Sequence, residues 1–372
     1  MKKHLIAAAV AAAVVAPAAM AQTVTMTGAL EAGYTSKDVR AFGSTTTNTK
    51  QSAITSGHVI TPNITFSGTE DLGGGLKASF MMQEEYNIAT GDEDVTNSVG
   101  SLSQALVSLS GGFGAISVGK MNHATRDLGG VYRFFGDIGR LAGAMNSVNN
   151  VNNTVQYVSP TFSGFRLSVA QGDVDKTVTS SVDTNVDPQS LRTFGISGNI
   201  DKLRLAISQE ELKWVAASAG AAQAKTKLLS IGGSYDFGVA RLGLVYADQD
   251  HTLASGANGG ERKAMGIHAA APVTGAITLG ASFTNYEVTL AAGGAKPEAD
   301  VLTLAAQYAL SKRTSIYASY QSVKNSGAAD ALASVSAAGI NSGAVGSSRG
   351  LGVVETTGTT ADGFGLTLVH SF

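Results

Sequence analysis

Five histidines follow residue 21, at positions 58, 123, 251, 268 and 370. No two of them stand at the i, i+4 separation that sets a pair of imidazoles on one helix face, and they form no ligand cluster. They are read as lumen, loop or interface residues. The segment Gly346-Ser347-Ser348-Arg349-Gly350 has the G-x-S-x-G order of a nucleophile elbow. That chemistry needs a strand before the serine and a helix after it, whereas this serine lies in a long Gly/Ala/Ser-rich stretch. Gly73-Gly74-Gly75 lacks the Gly-Lys-Ser/Thr ending and the following helix of a phosphate loop, so a tight turn is the reading. The expectation is a chain with no catalytic set, no metal and no cofactor.

The elements that carry these residues show period two. Val24, Met26, Gly28, Leu30, Ala32 and Tyr34 share one face of an extended segment, while Thr25, Thr27, Ala29, Glu31 and Gly33 share the other. The same apolar/polar split returns in Leu76-Ala78-Phe80-Met82 against Lys77-Ser79-Met81-Gln83, and in Leu203-Leu205-Ile207 against Arg204-Ala206-Ser208. It returns again in Leu242-Leu244-Tyr246 and Leu302-Leu304-Ala306-Tyr308. About sixteen such segments begin near residues 23, 53, 76, 101, 115, 153, 165, 190, 203, 226, 240, 262, 276, 300, 313 and 362. Each is close to the roughly ten residues a tilted strand needs to cross a bilayer. Short Gly-rich connections alternate with long polar ones, at about 37–52, 88–100, 121–152, 173–189, 211–225, 250–261, 288–299 and 323–361. Sorting of short and long connections to opposite rims marks a transmembrane barrel; a soluble sandwich gives its loops no reason to sort. Aromatics such as Tyr34, Phe80, Tyr157, Tyr235, Tyr246, Phe283, Tyr308 and Phe364 end the apolar faces, where interfacial girdles belong.

The ends and the composition agree. Lys2, Lys3 and His4, an apolar run from Leu5 to Val15, and Ala19-Met20-Ala21 form a secretory signal, with residues 1–21 removed and 22–372 forming one barrel domain. The apolar run is too short to span a bilayer as a helix. Taking the two lysines from the 26 basic residues leaves 24 against 28 acidic ones, a formal charge of −4, which gives nucleic acid no basic stripe to bind. No stretch of 18 apolar residues follows the signal, which excludes helical spans but not strands that face lipid on one side only. With no cysteine, the exported chain holds itself by other means than disulfides.

The stretch from Asn63 to Ala78, NITFSGTEDLGGGLKA, resembles the second-strand, turn, third-strand signature of the Gram-negative trimeric porins of the beta-proteobacterial type. Leu106 to Lys120, Thr154 to Phe165 and Leu310 to Tyr320 are similar to that family as well, and Phe372 after an alternating strand resembles the signal read by barrel-assembly machinery. The resemblance implies an all-β antiparallel transmembrane barrel of about sixteen strands with its third external loop, about 121–152, folded into the lumen. Within that loop Arg126, Asp127, Arg133, Asp137 and Arg140 become candidate constriction residues, and the Phe134-Phe135 pair needs an apolar seat. The resemblance also implies a homotrimer, contact with outer-membrane lipid and lipopolysaccharide, and handling by periplasmic chaperones.

Arginine is usual at several inward wall positions of the family, yet Asn63, Ser103, Gln156 and Val369 stand where the motifs align. By parity the lumen takes its charge instead from Lys77, Arg166, Arg204 and Arg241, opposed by Glu31 and Glu85, with Gln83 also on the polar face. Lys120, a further wall candidate, breaks strict alternation from Ile116 and Val118, so a strand end or a bulge is expected beside it. The function expected is passive diffusion of small hydrophilic solutes and ions through the outer membrane, with weak ion selectivity. A substrate-specific outer-membrane channel is the alternative; an outer-membrane barrel hydrolase or protease and a secreted soluble β-adhesin are more distant rivals.

Overall fold

The computed structural model describes residues 23–40, 49–91, 102–122, 135–136, 138, 150–173, 190–213, 224–289, 296, 298–326 and 360–372. Seventeen β-elements order them: β1 (Thr23–Arg40), β2 (Thr49–Thr55), β3 (Asn63–Gly73), β4 (Leu76–Glu85), β5 (Gln104–Gly111), β6 (Gly114–Asn122), β7 (Asn150–Val158), β8 (Phe165–Asp173), β9 (Ser190–Ile200), β10 (Leu203–Lys213), β11 (Lys225–Asp236), β12 (Arg241–Thr252), β13 (Asn258–Pro272), β14 (Ile277–Thr289), β15 (Glu298–Ala309), β16 (Thr314–Ser326) and β17 (Thr360–Ser371). From β3 onward each pairs antiparallel with the next, and β17 returns to β1. The sheet is therefore a closed barrel, which leaves no row of backbone donors and acceptors without partners in lipid.

Seventeen elements make sixteen staves, because β2 and β3 are two halves of one. Both pair with β1: Gly33 to Val39 face Thr55 to Thr49, and Thr23 to Ala29 face Thr69 to Asn63. The sequence pattern suggested one strand from about residue 53, but residues 56–62 leave the ladder. Seven residues stand there opposite the three of β1 between Ala29 and Gly33. Gly57 at φ 83° starts the departure and Pro62, which has no N–H to give a ladder, ends it.

Alternation places the aliphatics outside. Val24, Met26, Val107, Leu244, Met265, Ile267 and Leu366 are exposed on that face, which only lipid makes favourable. Tyr34 and Phe364 meet there at 6.2 Å, and Tyr235 and Phe237 at 4.7 Å. The inner face carries Thr35, Thr193, Ser208, Ser230, Thr303 and Thr367, all buried. Among the described residues two small apolar clusters interrupt it: Val151, Leu191 and Leu212 in one, and Val59, Phe135, Ile138, Ala305 and Val369 in the other.

At one rim the turns are short. Asp201 and Lys202 alone join β9 to β10, with Asp201 at φ 51°, a value Asp tolerates in a two-residue hairpin turn. At the other rim the staves outrun the expected loop boundaries. Residues 37–40 belong to β1, 211–213 to β10, 258–261 to β13 and 323–326 to β16, so the ladder rises past the apolar band.

Candidate pore and constriction

The inner face is the site, and register fixes which side chains line it. Near the short-turn rim, Arg166 of β8 stands opposite Ser197, Arg204 of β10 opposite Asn199 and Ser234, and Arg241 of β12 opposite Asp236. The Arg204 Nε donates to Asn199 Oδ1 at 3.1 Å. Thr161, Arg166, Ser197, Asn199 and Arg204 edge a cleft of about 290 Å³. Lys77 lies at the same rim on another part of the wall, between Asp71 and Ser110 in register, so it is not brought to the arginines. Higher up, Gln83 accepts a short hydrogen bond from Gln104 Nε2 through its side-chain oxygen. Asn63 opens β3 and donates from Nδ2 to Thr61 O at 2.9 Å.

The wall also holds Arg262 and Glu210, to which the sequence pattern assigns no role, and His268, one of the histidines expected in the lumen, a loop or an interface. Arg262 and His268 of β13 and Glu210 of β10 face inward and are buried. Exposure of Met265 and Ile267 sets the parity of β13, and carrying that alternation back to Arg262 was the signal available in the sequence. His268 lies over Gly243: a Cβ at Gly243 would come within 1.9 Å of its Nε2. The segment 56–62 also lies on this side of the sheet, with His58 and Val59 buried inside the barrel.

Lys120 requires a correction. Its ladder with β5 keeps strict alternation, pairing Lys120 with Ala105 and Val118 with the exposed Val107, so Lys120 has the parity of the outer face rather than of the lumen. The irregularity lies on the other edge, where the β6–β7 register slips between Gly119 and Met121. Asn153, at φ 50°, belongs to the extra residues on β7.

Of the loop expected to narrow the barrel, Phe135, Gly136 and Ile138 are described; Arg126, Asp127, Arg133, Asp137 and Arg140 lie outside the described residues. Phe135 and Ile138 pack on the inner wall against Val59, Ala305 and Val369, and the Phe135 ring meets Tyr317 edge-on at 6.1 Å. The loop thus enters the barrel at these residues. Among the described residues, one acidic trio, Asp248, Asp250 and Glu261, brings carboxylate oxygens within 4.8 Å of one another. It sits on the outer face, where Lys263 Nζ meets Glu261 at 2.7 Å.

A wide cylinder, polar within and apolar without, with a loop laid on its inner wall, has the form of a solute channel. The family model described as Gram-negative porin matches residues 7–328. The chain belongs to the Gram-negative porin family. This porin is 30% identical over 351 residues to outer membrane porin protein 32 of Delftia acidovorans, covering 87% of this chain and 90% of that one. It is 28% identical over 368 residues to an outer membrane porin protein of Bordetella pertussis, covering 87% and 95%. Among solved structures, the anion-selective porin from Comamonas acidovorans has the same fold, with a TM-score of 0.70 at 22% identity over 94% of this chain and all of that one. The trimer form of OmpT from Vibrio cholerae follows with a TM-score of 0.63 at 15% identity, over 95% of this chain and all of that one.

The porin is an outer-membrane general diffusion channel and not an enzyme.

Proposed function

We propose that this porin is a homotrimeric channel of weak ion selectivity whose loop at 121–152 sets the size cutoff for small hydrophilic solutes. The near balance of inward charge supports the selectivity. On the described wall Lys37, Lys77, Arg166, Arg204, Arg241 and Arg262 are offset by Glu31, Asp71, Glu85, Glu210 and Asp236. Asn63, Ser103, Gln156 and Val369 stand at wall positions where the family resemblance implies arginine, and in this reading their neutrality lowers anion preference. Arg126, Asp127, Arg133, Asp137 and Arg140 complete the constriction in this reading, and fields across such a constriction orient dipolar solutes. The apolar girdle is bathed by phospholipid and lipopolysaccharide, residues 1–21 are removed on export, and Phe372 is presented to the barrel-assembly machinery after passage by periplasmic chaperones.

Reversal potentials across a planar bilayer in a salt gradient test the selectivity. A small potential is expected, and strong anion selectivity overturns the reading. Channel closure in three equal steps is expected of the trimer.

A further inference from the structure

The break in the second stave leaves backbone N–H groups inside the barrel with no strand beside them. Glu31 of β1 supplies their acceptor. Its Oε1 accepts the His58 N–H at 2.5 Å, and its Oε2 accepts those of Val59 at 2.8 Å and Ile60 at 2.5 Å. The Glu31 carbonyl also accepts Ser56 Oγ at 3.2 Å, so one residue bonds both the start and the crest of the excursion. The carboxylate is 1% exposed, and hydrogen bonds from backbone N–H to a buried charge are among the strong ones. His58 Nε2 adds a 2.6 Å bond to Ser319 Oγ on β16, which ties the excursion across the closing seam of the barrel.

The crest of this excursion is where the constriction loop lands. A Cβ at Gly136 would stand 2.0 Å from the Val59 carbonyl oxygen, so the loop backbone lies directly on that of Val59. Gly136 is also at φ 60°, and the Ile138 N–H donates to Phe135 O at 3.1 Å to close the turn around the contact. Val59 itself is enclosed by Phe135 and Ile138. Apolar contact alone is non-directional and sets no height for the loop above the wall. The carboxylate, fixed on an unbroken strand, does.

We infer that Glu31 is a positioning residue for the pore constriction: it holds residues 58–60 against β1, and they in turn seat Phe135 and Gly136 of the loop. The inference rests on the reading of that loop as the constriction. It assigns Glu31 to a place beneath the loop rather than to contact with passing ions.

Single-channel recording of the full-length mature porin in planar bilayers tests it. Glu31→Gln removes the charge and sets an amide NH2 where one carboxylate oxygen accepted, against one or two of the three N–H donors, and Gly136→Ala disturbs the same seat from the loop side while leaving Glu31 intact. Each is expected to raise the occupancy of additional conductance levels about tenfold, the equivalent of one lost charge-assisted hydrogen bond. The double variant should add little to either, and Glu31→Asp should recover part of the steady current. Folded barrels of Glu31→Gln with wild-type current noise and polymer size cutoff overturn the inference. If Glu31→Gln does not insert, Gly136→Ala decides: added levels support the seat and wild-type noise removes it. Arg133→Glu separates the underlying reading. A shift in selectivity there with silent Glu31 variants sinks the positioning role alone, whereas silence in all of them sinks the constriction loop as well.

Discussion

Phe372 lies across Gly28, and the two residues exchange both backbone hydrogen bonds, Gly28 N–H to Phe372 O at 3.1 Å and Phe372 N–H to Gly28 O at 3.0 Å. A Cβ at Gly28 would fall 2.7 Å from Phe372 Cζ and 2.4 Å from Asn63 O. Absence of a side chain at Gly28 therefore lets β1 meet β3 and the end of the last stave at one point. Gly28→Val should force the Phe372 ring off the seam and cost about 1–3 kcal/mol, the usual scale of overpacking. The measurement is the urea midpoint of the folded band on unboiled gels; an unchanged midpoint refutes the seam.

The Phe135 ring is the apolar anchor of the inward loop. Phe135→Ala should weaken the docking of the loop by about 3–5 kcal/mol, as for other buried aromatics, while leaving the sheet closed. Exclusion of sized polyethylene glycols should then shift to larger polymers, with unchanged circular dichroism.

His268 owes its position along the wall to Gly243. Gly243→Ala should push the imidazole into the lumen and lower single-channel conductance, and His268→Ala in the same chain should restore it. Such non-additivity is the mark of two residues in contact. Equal conductance of Gly243→Ala and the unaltered porin contradicts this placement.

Charge on the wall should move selectivity in a set direction. Gln156→Arg adds a basic group to the inner face and should increase anion preference, while Arg204→Glu with Arg241→Glu should favour cations. Focused lumen fields change local ion concentrations on the order of tenfold, so the permeability ratio has room to shift measurably. Reversal potentials provide the check.

The two faces should answer oppositely to a charge. Leu244, 62% exposed on the outer face, should cost about 2–4 kcal/mol as Leu244→Arg if it lies near the bilayer midplane. Gln307→Arg, on the inner face of β15, should be close to neutral in the same refolding titration.

The sixteen staves, their apolar outside and the sorting of short from long connections were legible because each follows from a repeat of two residues and from local turn chemistry. Alternation alone put Glu31, Lys77, Arg166, Arg204 and Arg241 on the polar face. The broken second stave was not read, although Gly57 and Pro62 bracket it, because Ile54 and Ile60 keep an even spacing that mimics an unbroken strand. Lys120 was placed in the wall, but its ladder with β5 gives it the outer parity, and the slip it hinted at belongs to the facing residues of β7.

By itself the sequence determined which side of the sheet a residue of an unbroken strand occupies, since that depends only on near neighbours along the chain. Tertiary structure decided where Glu31 finds its donors, where Phe135 is seated and how Phe372 meets Gly28. The acceptors and donors in those contacts are largely backbone groups, which every residue carries and no residue type announces. Closure of the barrel brings them together across tens to hundreds of positions, and only the closed sheet specifies which of them meet.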